Sequence, residues 1–314
     1  MKISVLTATY NRCIELDRLY ASLVVNSNSN IDFEWLIMDD GSTDKTKLTV
    51  ENYIKQNIID IKYYYQKNQG KMSAINNLVY YATGDVMVTC DSDDYFTTRA
   101  FDIISEYSDK LLNDETVYAL VFLKKDQNGK ISGNKFCEDI HRSDMFNLYF
   151  REKVVGEKVL VFKTEIRKKY RHELEADEKF VTESRMYHKM DLDYDIIGIN
   201  KPIEIIEYKE DGYTKNLQTQ FVENPLGYYE FFREMLELDL KGVTFNKRLY
   251  IYKHYILFAN LAERKDAISN VCGFFNKFMI TILWIPGIIL TRKRFGKKEE
   301  KQKENEKNEN VTEK

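Results

Sequence analysis

The sequence predicts an α/β fold: a mostly parallel central sheet wrapped by helices, with more helices at its C-terminal end. Two observations carry that expectation. Through the first hundred residues, short apolar runs alternate with segments whose apolar residues recur at helical spacing. The apolar runs themselves lack polar alternation, as strands covered on both faces by helices should. A third observation concerns function. Acidic and hydroxyl residues gather where the apolar runs end, and open parallel sheets bind ligands at that edge.

The elements follow in order. "ISVLTA" reads as a first strand and "IELDRLYASLVV" as a first helix. "FEWLIMDD" is the second strand, and "TDKTKLTVENYIKQN" a second helix opened by a Ser or Thr cap in "GST". "IKYYYQ", "MSAINNLVYYAT" and "GDVMVTC" supply the third strand, third helix and fourth strand. Past residue 200, "KPIEIIEYKEDGYTKN" reads as a closing strand and a flexible loop. Two amphipathic helices then follow, "NPLGYYEFFREMLELDL" and "KRLYIYKHYILFANLAER". The second carries Leu249, Tyr252, Ile256 and Ala259 on one stripe, the mark of a packing face.

Composition narrows the function. The 314 residues can bury one large core, or one core and a smaller annex. Hydrophobic residues make up 43% and charged residues 31%, so the chain should fold; 13% are aromatic. A formal net charge of −3 excludes a broad basic field, so nucleic acid is not an expected partner. Cys13, Cys90, Cys137 and Cys272 form no CxxC pair, which suits reduced thiols and argues against a zinc site. The opening "KISVLTATY" is a strand, so an N-terminal export signal is not expected.

The strand ends are chemically alike. The first runs into "TATYNR" with Thr7, Tyr10, Asn11 and Arg12, and the second into "MDDGSTD" with Asp39 and Asp40. "KNQGKMSAINN" brings Gly70 and Lys71, and "CDSDD" brings Asp91, Asp93 and Asp94. Neither GxGxxG nor a P-loop is present, so the phosphate devices of those classes are missing. Three carboxylates this close repel one another unless a cation sits among them. On an extended segment, residues two apart project the same way, so Asp91 and Asp93 could share a ligand. Hard oxygen ligands suit Mg²⁺ or Mn²⁺, which commonly also take substrate phosphates.

The ordered set "TATYNR", "MDDGSTD", "NQGKMSAINN", "ATGD" and "CDSDD" resembles the family 2 glycosyltransferases, whose fold is GT-A. The likeness is strong over roughly the first hundred residues and thins after about residue 130. It implies inverting transfer of a sugar from a nucleotide diphosphate donor, a UDP-sugar above all, with Mg²⁺ or Mn²⁺. It also assigns roles. Asp40 would read the nucleotide base, and Thr7 and Tyr10 would lie along base and ribose. Asp93 would ligate the metal, with Asp91 on the ribose or a metal-bound water. Lys71 sits where a cation could reach the phosphates, but Ile75 stands where the family often has Arg.

The bland readings are a turn residue for Asp39 and Asp40, a packing aromatic for Tyr10, and a capped, solvated loop for the acidic motif, in which Asp94 could support the other acids or cap the helix that follows. The family's general base is the Asp of an "ED" pair. The counterpart here is Glu183, followed by Ser184, in "EKFVTESRMYHKM", with Glu178 in reserve. A first-turn helix acid is the plain alternative for Glu183. Two other functions stay open: a nucleotidyltransferase that makes the sugar nucleotide, though "TATYNR" is not its Gly-rich loop, and an inactive binding subunit.

The C-terminal segment differs. Residues 278–290 are almost wholly apolar, then Arg292, Lys293, Arg294, Lys297 and Lys298 follow. Thirteen residues fall short of the ~20 that span a bilayer, and Pro286 with Gly287 should break a helix there. An interfacial anchor on an anionic membrane is the expectation, with a buried core helix as the alternative. The resulting layout is a catalytic domain over 1–215, a helical extension over 216–272, an interfacial segment over 273–296 and a disordered charged tail over 297–314. A saccharide or lipid-linked saccharide acceptor and a peripheral site on the inner face of the cell membrane fit that layout.

Overall fold

A computed structural model describes residues 1–207 and 217–312, with residues 296–312 as backbone. The expected flexible loop of "EDG" lies outside the described residues. The chain divides into two compact units, one of Met1–Glu173 with Glu183–Lys209, the other of Leu174–Thr182 with Glu210–Lys314.

In the first unit, β1 (Lys2–Thr9), α1 (Leu16–Asn26), β2 (Asp32–Asp39), α2 (Thr46–Gln56), β3 (Asp60–Tyr65), α3 (Lys71–Tyr81) and β4 (Val86–Thr89) alternate as the periodicity predicts. A short β5 (Tyr95–Phe96), α4 (Ala100–Leu112), β6 (Val117–Lys125) and β7 (Ile140–Ser143) come next. A π-helical turn at Asn147–Arg151, β8 (Lys158–Lys163), α5 (Thr164–Arg167), α6 (Glu183–Met190) and β9 (Asp195–Ile205) complete the unit. The strand order is β3-β2-β1-β4-β8-β6-β9-β5, with β7 on β9.

The first half of the sheet is parallel throughout: β1 pairs in parallel with β2 and β4, and β2 with β3. The second half is mixed, because β8 runs antiparallel to both β4 and β6. Ile3, Val5, Trp35, Ile37, Val86 and Val88 pack on one face with Leu16, Leu19 and Phe101. Leu6, Leu36, Met38 and Met87 pack on the other with Ala74, Ile75 and Leu78 of α3. Two buried faces explain why the strands read as unbroken apolar runs.

Below the site edge, Glu34 of β2 is wholly buried. Ser4 Oγ donates to its Oε1 at 2.6 Å, Thr83 N at 2.7 Å and Thr83 Oγ1 at 2.8 Å, while Lys62 Nζ donates to Oε2 at 2.5 Å. Burial disfavours its charge, but Lys62, Ser4 and Thr83 outweigh burial and hold the pKa at about 2. A depressed folded pKa stabilises the fold above the unfolded value, near 4.3, and that share is lost as pH falls toward 2. Glu34→Gln should therefore lower the melting temperature at pH 7, and the gap from the native chain should close as pH approaches 2. A gap that does not narrow in acid contradicts this account of Glu34.

In the second unit, α7 (Leu217–Glu223), α8 (Pro225–Met235), α9 (Phe245–Leu261) and α10 (Phe274–Thr312) follow one another. The expected break at Pro286 does not occur, since α10 runs through it. Pro286 removes one backbone bond, while packing holds both sides of it. Ile280, Thr291 and Phe295 are buried. A Cβ on Gly287 would sit 2.4 Å from Ile256 Cγ2, so only glycine admits so close an approach to α9. By length and composition, Phe274–Phe295 could also cross a membrane, with a mean hydropathy of 1.6. Its other side carries Phe274, Phe278, Ile282, Ile285 and Ile289, all exposed.

Candidate active site

Gly70 opens α3 at φ 92°, a conformation glycine adopts without strain. The loop before it is fastened by Asp40. This nearly buried carboxylate accepts from Gln66 Nε2 at 2.7 Å and Gln69 N at 2.8 Å on Oδ1, and from Gly70 N at 2.8 Å on Oδ2. The residue expected to read a base thus first clamps the loop that delivers Lys71. Asp39 is a structural acid, taking Ser42 N at 2.7 Å and Tyr63 Oη at 2.6 Å.

Thr7 departs from expectation. It lies inside β1, fully buried, and accepts the Trp35 indole N–H at 3.0 Å. Its hydroxyl belongs to the core and is closed to a nucleotide. Tyr10, past the strand end, is 48% exposed and remains open to a ligand. Beside it, Asn11 at φ 53° accepts from Thr43 N at 2.8 Å and ties this loop to the one after β2.

The acidic motif is a turn, since Asp94 N donates to Asp91 O at 3.0 Å. The extended segment inferred for it is therefore incorrect, and the acids part company. Lys71 Nζ lies 2.7 Å from Asp91 Oδ1 and 3.3 Å from Glu183 Oε1. Lys124 Nζ, nearly buried, lies 2.7 Å from Asp94 Oδ2 and 3.0 Å from Glu204 Oε2. Each lysine joins two acids from distant stretches of chain.

Of the three, only Asp93 makes no ion pair among the described residues; its own backbone N–H and, at longer range, Arg12 favour its charge. Burial pushes its pKa up, and Asp91 and Asp94 push it further. Asp91 moves the other way: burial opposes its charge, but Lys71 and Lys124 outweigh burial. Asp93 is the carboxylate that a further cation would relieve.

Glu183 begins α6, and Tyr187 Oη, one turn on, donates to its Oε2 at 2.9 Å. Burial works against its charge, but Lys71 prevails and its pKa is lowered. Lys71 in turn is raised, its burial outweighed by Asp91 and Glu183. The lysine expected to wait for phosphates is therefore engaged by two carboxylates. Glu178, the reserve candidate, is engaged elsewhere. It lies in the second unit and accepts from Leu226 N at 2.6 Å and Gly227 N at 2.7 Å, capping α8. Burial raises its pKa.

Sequence reasoning missed Lys124, Glu204 and His172. Lys124 ends the apolar run "VYALVFLK", where a cation after seven core residues was a usable signal. His172 is buried, its Nδ1 has no partner among the described residues, and burial and then Arg167 drive its pKa to about 3. It therefore stays neutral in the physiological range. Nothing local in "RKKYRHEL" marks it.

Among the described residues no three His, Cys, Asp or Glu side chains form a ready-made metal cage. The acids at this turn nevertheless fit Mg²⁺ or Mn²⁺, ions that often take only one or two carboxylates and complete their shell with water and phosphate.

Comparison with known proteins bears on the family and the fold. The model of glycosyl transferase family 2 matches residues 4–170. An uncharacterised glycosyltransferase of Mycoplasma genitalium is 31% identical over 121 residues, 38% of this chain and 41% of that protein. The chain thus spans about two fifths of that curated relative. A GalNAc(5)-diNAcBac-PP-undecaprenol beta-1,3-glucosyltransferase of Campylobacter jejuni is 26% identical over 286 residues, 85% of each chain. Among solved structures, residues 1–349 of S. aureus TarS in complex with UDP-GlcNAc align with a TM-score of 0.59 and 20% identity. That alignment covers 94% of this chain and 81% of the other. The fold is the GT-A arrangement.

Proposed function

This chain belongs to glycosyl transferase family 2, and on that footing we propose that it moves a sugar from a nucleotide diphosphate to an acceptor hydroxyl with inversion. The observation that carries the reading is the Lys71 bridge, which sets Glu183 and the Asp91 turn on one ammonium at the sheet edge. A UDP-sugar is the donor we favour, supported by the UDP-GlcNAc complex of the similarly folded TarS. A saccharide or lipid-linked saccharide is the acceptor class we favour, supported by the Campylobacter relative's substrate.

Glu183 serves as the general base. Its lowered pKa keeps it ionised, so it can take the acceptor proton as the hydroxyl oxygen bonds to the sugar carbon. The bond from that carbon to the diphosphate breaks on the opposite face, and the nucleotide leaves with the electron pair. Asp93, with Asp91 beside it, would hold Mg²⁺ or Mn²⁺. Bound there, such an ion supplies charge neutralisation for the departing diphosphate. Lys71 keeps Glu183 ionised at rest. Drawn toward an incoming diphosphate, it would leave Glu183 more basic when a proton must move. Tyr10 would stack on the base, a role its exposure supports.

Labelled UDP-sugars with Mn²⁺ and a saccharide or lipid acceptor extract test this reading. Label transferred with release of UDP is expected. Pyrophosphate chemistry would instead identify a nucleotidyltransferase, and binding without turnover an inactive subunit.

The exposed apolar side of α10 supports peripheral attachment to an anionic membrane, with Arg292 and Lys293 exposed beyond it. Each basic residue near an anionic surface contributes about 1 kcal/mol and is screened by salt, whereas apolar insertion is not. The full chain should therefore sediment with anionic vesicles and stay bound in high salt. Phe278→Ser with Ile282→Ser and Ile285→Ser should release it, the opposite face against α9 being untouched. A native chain that stays in the supernatant at low salt contradicts the attachment.

A further inference from the structure

On and around β7, Cys137, His141, Glu152 and Ser143 form a chain of contacts that the transfer reaction does not use. The Cys137 sulfur lies 3.3 Å from His141 Nδ1, and His141 Nε2 lies 2.6 Å from Glu152 Oε2. Ser143 Oγ donates to the other oxygen of Glu152 at 2.6 Å. An ionised carboxylate can only accept, so Nε2 carries the ring hydrogen. The neutral ring then turns the lone pair of Nδ1 toward the sulfur.

Thiol and carboxylate sit on opposite ring nitrogens, so the histidine cannot offer one metal ion to both. The arrangement is a proton relay: nucleophile, base, and an acid that orients the base. Its backbone is held as well. Asn200 accepts from Phe136 N at 2.9 Å and donates to Glu138 O at 2.9 Å, on either side of Cys137. Cys137 is exposed, as is Cys272, but Cys272 contacts no imidazole among the described residues.

We propose that Cys137 is a modification site, a surface thiol activated by His141 for exchange with low-molecular-weight disulfides. His141 Nδ1 takes the thiol proton as the Cys137 sulfur attacks one sulfur of the disulfide. The new S–S bond forms as the old one breaks. The second sulfur leaves as a thiolate and takes the proton back from His141. The disulfide is reduced to one free thiol and one mixed disulfide, and Cys137 is the group oxidised.

Reduced full-length protein treated with oxidised glutathione at neutral pH provides the test, with occupancy of each cysteine followed by mass. An unassisted thiol is only a few per cent ionised at that pH, so a positioned base should speed Cys137 about tenfold over Cys272. His141→Gln should bring Cys137 down to the rate of Cys272, and Glu152→Gln part of the way. Cys137→Ser should abolish the fast phase. Equal rates at Cys137 and Cys272 in the native chain overturn the proposal, as does a folded His141→Gln variant that keeps the fast rate.

Discussion

Replacing Glu183 by Gln is expected to lower turnover by ~10²–10⁴-fold while nucleotide affinity survives. Glutamine keeps the length and the Tyr187 hydrogen bond but cannot accept the acceptor's proton. In the native chain, the acid limb of kcat/KM should lie below the ordinary glutamate pKa of about 4.3, because Lys71 lowers that of Glu183. Activity should be full above that limb and fall as pH drops through it. Glu178→Gln should leave turnover per folded molecule unchanged and instead destabilise the second unit, since its oxygens cap α8. If Glu178→Gln stops turnover in a folded protein while Glu183→Gln does not, the base has been misassigned.

Asp93→Asn is expected to remove nearly all metal-dependent turnover with the fold intact. The substitution keeps the shape and deletes the one carboxylate of the turn that makes no ion pair among the described residues. Removing a carboxylate that burial and two neighbouring acids disfavour should leave the melting temperature unchanged or slightly raised. Asp94→Asn should behave differently. It strips a counterion from buried Lys124, and breaking a buried pair costs about 3–5 kcal/mol. Loss of activity with stability kept at Asp93, against loss of stability at Asp94, would separate a ligand from a structural acid within one turn. Full activity in Asp93→Asn rules out its role as the metal ligand.

The parallel half of the fold was legible because its strands are buried on both faces, which leaves continuous apolar runs that periodicity detects. The mixed half was not, because β8 meets β4 and β6 by pairings that local pattern does not encode. At the site, the motif order singled out the strand ends and Glu183 as candidates. What it could not supply was the pairing of charges. Lys71 to Glu183 and Lys124 to Glu204 join residues 112 and 80 positions apart, and only the fold brings them together. Thr7 shows the reverse error. A hydroxyl near a strand end looks available in sequence, yet the Trp35 indole takes it into the core. The break expected at Pro286 failed for a similar reason, since α9 packs against the helix where local propensity alone would end it.

The central claim is that the Asp91–Asp94 turn and Glu183 surround a metal-assisted nucleotide-sugar site. Calorimetric titration of UDP into the full-length chain, with Mn²⁺ and then with a chelator, tests it most directly. Saturable binding that depends on the metal, and that Asp93→Asn abolishes while Glu183→Gln retains it, is the predicted result. Binding of equal strength with chelator present, or no binding of UDP under either condition, would contradict the account.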